Sequence, residues 1–271
     1  MSEGTNRLQL DTDKMIAEKE GGIGWVIYNN PARHNAMSME MQQAIPVILE
    51  DFKADPEVRV VVIRGAGEKA FISGADISEF ESRRSSPEAI RQYNATGGAA
   101  GASYATLDKP VIAMIQGFCM GGGLAMAMQA DIRIAAEESQ FGIPAARLGL
   151  GYGFGGVKAL VNLVGPAYAA EILFSARRFS AEEALRMGLI NRVVPKPQLE
   201  PAVRELAATI AGNAPLTVKA SKAAIREAVK DRENRDLERV EQMVRECFES
   251  QDYIEGRRSF MEKRKPEFRG A

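Results

Sequence analysis

Apolar positions along this chain follow two rhythms. Short β-branched runs at 24–28 (GWVIY) and 58–63 (VRVVVI) have the unbroken apolar character of strands covered on both faces. Residues 109–115 (KPVIAMI) and 131–135 (DIRIA) repeat it further on. Between the first two runs, Ser38 precedes a 3.6-residue pattern that sets Met41, Ile45, Ile48 and Leu49 on one face, which predicts a helix with Ser38 as its N-cap. Strands that feed loops rich in glycine and charge imply an α/β fold with its function at those loops.

After Pro195 no strand pattern returns. Apolar-periodic segments at 198–212, 216–230 and 235–251 predict three helices with Lys, Arg and Glu on their outer faces. The chain therefore divides into a core over 1–197 and a helical region over 198–271 that serves packing and assembly. "RENRD" and "EKRKPEFRG" look like solvated helix faces or ends. There is no tandem repeat, and the longest low-complexity run is "GGAAGAS" at 97–103. Inside a helix, that run means either close packing or a mobile segment beside a site.

Composition narrows the classes. The 271 residues, 45% hydrophobic and 26% charged, suit a globular protein with a substantial core. Lys+Arg 35 against Asp+Glu 36 leaves a net charge of −1, which provides no overall field for nucleic acid or an anionic membrane. The two cysteines, Cys119 and Cys247, offer neither a disulfide framework nor a metal-ligand spacing and fit a reducing compartment. The opening MSEGTNRLQLDTDKM lacks an apolar h-region, and no window approaches the ~20 apolar residues of a membrane span. A cytoplasmic protein is expected, if the source is bacterial.

Four segments carry candidate chemistry: "NNPARHNAM" (29–37), "KAFISGADISEF" (69–80), "FCMGGGLAMAMQAD" (118–131) and "FGIPAARLGLGYGFGG" (141–156). Three consecutive glycines opening a helix cost roughly 1 kcal/mol each relative to alanine and need a reason; tight helix packing is one. "GGGLAMAM" is not a phosphate loop, because no Lys-Ser/Thr follows. In this order and at these separations the segments resemble the crotonase superfamily, the enoyl-CoA hydratase/isomerase family, over nearly the whole chain. "FMEKRKPEF" is similar to that family's closing helix.

The resemblance implies a spiral core of ββα turns, a C-terminal helical region that assembles trimers or dimers of trimers, and an acyl-CoA thioester as ligand. No cofactor is implied beyond the coenzyme A carried by the substrate, and no metal. It further implies that Arg33, His34 and Ala36, with Ser73, Gly74, Asp76 and Ile77, hold the CoA, while Phe260 and Lys263 of a neighbouring subunit close over its nucleotide end. Two backbone amides, those of Ala75 and Gly122, would point at the thioester oxygen, and side chains at 121–123, Gly121 included, would crowd it. Such preorganised donors are typically worth ~10²–10³ in rate each.

Against that family's pattern two positions differ. Hydratases of the family carry glutamates where this chain has Ala125 and Ala145. Position 125 shares a helix face with Gly122 and leans toward it. Without the two carboxylates, hydration lacks its acid and base, each typically worth ~10²–10⁴. Decarboxylation of a malonyl-type thioester needs only the amide pair and a later proton, so it is favoured. The alternatives are hydration or isomerisation with substitute groups, and an acyl-CoA-binding protein without catalysis.

Tyr152 stands where many members have proline and resembles a tyrosine of methylmalonyl-CoA decarboxylases. It is either a catalytic phenol or a core tyrosine with a satisfied hydroxyl. Those decarboxylases carry histidine at the position of Ala75 and keep the glutamate replaced by Ala125. His34, the single histidine, is expected at a surface or ligand edge. Asp76 is expected to fix its loop. Arg147 is expected in a surface salt bridge or, if turned inward, on a substrate carboxylate. Glu79, Glu81 and Tyr104 are candidates for the border of the acyl pocket.

Overall fold

The computed structural model describes residues 6–79 and 86–271. The chain opens with strands β1 (Asn6–Arg7), β2 (Met15–Glu20) and β3 (Ile23–Tyr28), an antiparallel meander. Gly21 and Gly22 join β2 to β3 at φ 56° and 83°, the left-handed pair that a tight hairpin turn requires. Helix α1 (Met39–Ala54) starts where Ser38 predicts it, with the Ser38 hydroxyl accepting from the Met41 amide at 3.4 Å.

A repeating unit follows. Strands β4 (Val60–Gly65) and β5 (Ala70–Ile72) lead to α2 (Pro87–Thr106), β6 (Val111–Ile115) and β7 (Phe118–Met120) to α3 (Gly122–Ala127), and β8 (Ile132–Ala136) and β9 (Gln140–Gly142) to α4 (Phe154–Ser175). Then come β10 (Phe179–Ser180), α5 (Ala181–Arg186) and β11 (Arg192–Val194). The first sheet has the order β1-β2-β3-β4-β6-β8-β11 and is parallel from β3 onward; the second has the order β10-β9-β7-β5. Each pair of successive strands thus steps from the first sheet to the second before a helix returns the chain. This is a spiral of ββα turns.

The first sheet is covered on both faces, which explains its unbroken apolar runs. Its inner face joins Tyr28, Phe52, Phe71 and Phe141 in the main core. On its outer face, helix α6 (Lys196–Ala211) lays Leu199, Val203, Ala207 and Ala211 over Trp25, Val60, Val62 and Ile112. Trp25 lies there with the guanidinium groups of Arg64 and Arg204 at 5.7 and 4.7 Å from its ring.

Three more helices complete the described chain: α7 (Pro215–Ala228), α8 (Leu237–Glu249) and α9 (Gln251–Glu262). The helix predicted over 235–251 therefore ends at Glu249, and a further helix follows. Ser250 divides them by accepting from the Tyr253 amide at 3.1 Å as the N-cap of α9. "FMEKRKPEF" is helical only through Glu262; Lys263 takes φ 56°, and the following residues fold back on α9. There the Asp252 carboxylate accepts from the Arg269 and Gly270 amides at 2.7 and 2.8 Å. Glu255 accepts from Arg258, Arg264 and the Glu267 amide, which hold its carboxyl well below the usual range.

Helix α7 is fastened to the core through Lys222, which is 6% exposed and donates to the Asp131 carboxylate and the Lys109 carbonyl, both at 2.7 Å. Arg226 adds bonds to the carbonyls of Tyr104 and Leu107, both at 2.9 Å. Contrary to the sequence reading, α4 is long and apolar enough to cross a membrane. It is broken at Gly165, where φ 73° and ψ 167° leave the helical region ahead of Pro166.

Candidate active site

The loop after β3 packs as a short 3₁₀ turn (Pro31–Arg33) followed by two left-handed residues, His34 at φ 52° and Asn35 at φ 55°. Asparagine tolerates this conformation better than most residues. The Asn35 side chain is completely buried. It accepts from the Asn30 amide and donates to the carbonyls of Ala66 and Ala70, each at 2.9 Å. No periodicity signals this role; only the αL-tolerant residue at the end of a polar turn hints at it.

Having turned, the loop lies against the segment after β5. The Ser73 amide donates to the His34 carbonyl at 3.1 Å, the Met37 amide to the Gly74 carbonyl at 2.8 Å, and the Asp76 amide to the Met37 carbonyl at 2.9 Å. Met37 therefore takes the groups on both sides of Ala75 in a parallel bridge. The Gly74 C=O and the Ala75 N–H belong to one trans peptide group and point in opposite directions, so the Ala75 N–H faces away from Met37. Among the described residues it has no hydrogen-bond acceptor.

Asp76, 8% exposed, accepts from the Ser78 hydroxyl at 2.6 Å, the Ser78 amide at 3.0 Å and Arg33 at 3.0 Å. Burial alone would raise its pKa; these donors outweigh it and hold the carboxyl below its ordinary value. Asp76 thus fixes its loop as expected. The ring of the exposed His34 lies 5.9 Å from that of Phe118, and Ala36 is buried beneath the loop.

The glycines at 121–123 have three separate causes. Gly121 sits at φ 51°, ψ −114°, a conformation closed to residues with a Cβ, and its amide donates to Gly142 at 2.8 Å. A Cβ on Gly123 would overlap the main chain at Ile72. At Gly122 neither strain nor overlap stands in the way: a Cβ there would lie 3.6 Å from the Ala75 nitrogen, in the space next to both amides. Backbone strain accounts for Gly121 and packing for Gly123, whereas at Gly122 neither does, and a side chain there would enter the space beside the Ala75 amide. The Gly122 N–H, at the first turn of α3, also lacks an acceptor among the described residues. Because α3 has six residues, its macrodipole is small, and an anion at this end would be held by the free amide itself.

Ala125 follows one turn along α3, half-buried. Pro144 abuts Gly121, with its Cδ 3.8 Å from where a Cβ would stand, which brings the half-buried Ala145 to the same neighbourhood. Both offer only methyl groups. Tyr152 is half-buried with its ring against Gly156; burial raises the pKa of its hydroxyl, which has no hydrogen-bond partner among the described residues.

A family model described as "Enoyl-CoA hydratase/isomerase" matches residues 18–271. The chain belongs to the enoyl-CoA hydratase/isomerase family. It is 37% identical over 258 residues to a short-chain-enoyl-CoA hydratase of Clostridium acetobutylicum, covering 95% of this chain and 98% of the relative. It is 38% identical over 256 residues to a crotonyl-CoA hydratase of Syntrophomonas wolfei, covering 94% and 98%. The crystal structure of an enoyl-CoA hydratase/carnithine racemase from Magnetospirillum magneticum superimposes with a TM-score of 0.90 at 34% identity, over 96% of this chain and 97% of that one. The spiral is thus the fold of the enoyl-CoA hydratase/isomerase family, the crotonase superfamily.

Within that family fold, the hydrogen bonds gather Arg33, His34, Ser73, Gly74 and Asp76 around Met37, and Gly74 and Ala75 pack beside Gly122 at the start of α3. Ile77 opens a short 3₁₀ turn (Ile77–Glu79) beyond them. Phe260, 82% exposed, and Lys263 stand at the end of α9, with no hydrogen bond to this turn. Tyr104 is not at a pocket border: it is fully buried, its hydroxyl 3.1 Å from that of Tyr28. Glu79 accepts from the Met39 amide at 3.0 Å and so caps α1. Glu81 lies outside the described residues. Arg147 is exposed and makes no ion pair among the described residues, so the surface salt bridge expected for it is not formed.

Proposed function

We propose that this protein is an enzyme that binds an acyl-CoA thioester and stabilises its enolate through the backbone amides of Ala75 and Gly122. The single observation that carries this reading is the adjacency of two free N–H groups, one on each glycine-bearing turn, beside positions 125 and 145 that hold no carboxylate. A malonyl-type thioester would lose its carboxylate as CO₂, and the electron pair of the broken C–C bond would form the enolate. Its oxygen would rest on the two amides. The α-carbon would then take a proton, with the Tyr152 hydroxyl as donor.

In this reading Arg33, His34, Ala36, Ser73, Gly74 and Asp76 border the CoA. Phe260 and Lys263 of a second copy complete its nucleotide end in a trimer or a dimer of trimers. The exposed apolar side chains Phe248, Ile254, Phe260 and Met261 suit burial in such an assembly.

A second reading is hydration with substitute acid and base groups. It is favoured by the relatives in C. acetobutylicum and S. wolfei, which are named hydratases. Incubating the protein with a panel of enoyl and malonyl-type CoA thioesters, and weighing the products by mass spectrometry, separates the two. Loss of CO₂ from a malonyl-type member supports decarboxylation. Hydration of crotonyl-CoA at the rate of a two-glutamate enzyme would overturn it.

A further inference from the structure

The Asn35 amide side chain uses three of its four hydrogen-bonding sites on main-chain groups of three separate segments: the loop at Asn30, the end of β4 at Ala66 and the start of β5 at Ala70. All of this happens at full burial, where each bond left unmade would strand a polar group. Gly65 makes the arrangement possible. A Cβ there would come within 2.6 Å of the Asn35 Nδ2 atom and overlap the carbonyls of Ala70 and Phe71.

From Asn35 the path to the site is two residues long. Met37 is locked between the Gly74 carbonyl and the Asp76 amide, and this pairing turns the Ala75 N–H away from Met37, with the space at Gly122 3.6 Å from the Ala75 nitrogen. We infer that Asn35 is a positioning residue that sets the direction of the Ala75 amide by fixing the Met37 edge against β4 and β5. The inference rests on the proposed role of that amide as an oxyanion donor. Its own content is that aim, and not merely stability, depends on a loop side chain that touches no ligand.

The test uses butyryl-CoA carrying ¹³C at the thioester carbonyl, bound to the full-length protein and read by isotope-edited infrared spectroscopy. In the wild type the carbonyl stretch should move to lower frequency on binding. Asn35→Ala should keep less than half of that displacement while its dissociation constant for the thioester changes less than threefold. Ile48→Ala, a core truncation on α1, serves as a control that loosens the fold elsewhere and should keep the whole displacement.

No displacement in the wild type would overturn the oxyanion reading itself. A full displacement in folded Asn35→Ala would leave that reading standing and overturn the role of Asn35, as would an equal loss in Ile48→Ala. Should Asn35→Ala not fold, Asn35→Asp carries the test. It keeps the volume and the bond from Asn30 but turns an anion on two carbonyls. Its displacement should be small at neutral pH and recover on acidification, when the protonated carboxyl donates again. A displacement independent of pH and equal to that of the wild type overturns the inference.

Discussion

Gly123 lies so close to Ile72 that a Cβ on it would come within 2.8 Å of both the carbonyl carbon and the Cβ of Ile72. This contact seats α3 against the Ser73–Asp76 turn. It also separates two neighbouring glycines by function. Gly123→Ala should cost about 3 kcal/mol of stability in urea denaturation, because backbone must move to admit the methyl. Gly122→Ala meets only ordinary contacts and should unfold within about 1 kcal/mol of the wild type. Its turnover of the best thioester in the panel should nevertheless fall about 10²-fold. Equal behaviour of the two variants would remove the distinction.

Restoring carboxylates tests the other half of the site. Ala125→Glu with Ala145→Glu should raise crotonyl-CoA hydration by about 10²-fold or more over the wild type, in line with the usual worth of an acid and a base. An unchanged rate would mean that the pocket differs from that of two-glutamate enzymes in more than these side chains.

Burial raises the pKa of the Tyr152 hydroxyl, so it keeps its proton across the neutral range and is able to give it up only as an acid. Tyr152→Phe should lower the rate of product protonation by about 10²-fold, and the wild-type rate should fall only above about pH 10. Deuterium uptake at the α-carbon measures this directly. A rate untouched by the substitution would leave Tyr152 as a packing residue.

Glu255 ionises more readily in the folded chain than in the unfolded one, because Arg264, Arg258 and the Glu267 amide all favour its charged form. A depressed folded pKa gives stability that is present above the unfolded value and lost as pH falls toward the folded one. The melting temperature of Glu255→Gln should therefore lie below that of the wild type at pH 7, and the gap should close progressively below about pH 4. A gap that persists at pH 3 would show that charge is not its source.

Much of this fold is legible in the sequence, and the exceptions have physical reasons. The strands of the first sheet are apolar on both faces because α6 covers the side that the inner core does not, so β3, β4, β6 and β8 stand out as runs. Strands β5, β7 and β9 span three residues each, too short to show any period, so the second sheet is hidden. The α8–α9 boundary escapes notice because Ser250 ends one helix and caps the next without a proline or glycine.

At the site, the glycine-bearing turns declare themselves as motifs, and the absence of glutamate at Ala125 and Ala145 is plain. Asn35 does not declare itself, since two of its three partners lie 31 and 35 residues away and leave no local pattern. Glu79 and Tyr104 look equally available for chemistry, yet Glu79 caps α1 and Tyr104 shares a buried bond with Tyr28.

Trp25 is the single tryptophan of the chain, enclosed between the outer face of the first sheet and α6 with two guanidinium groups beside it. A fluorophore thus stands on the side of the sheet away from the Ala75 and Gly122 amides. Its emission would redden when α6 lifts off and stay still when ligand arrives, giving an optical separation of unfolding from binding without any label.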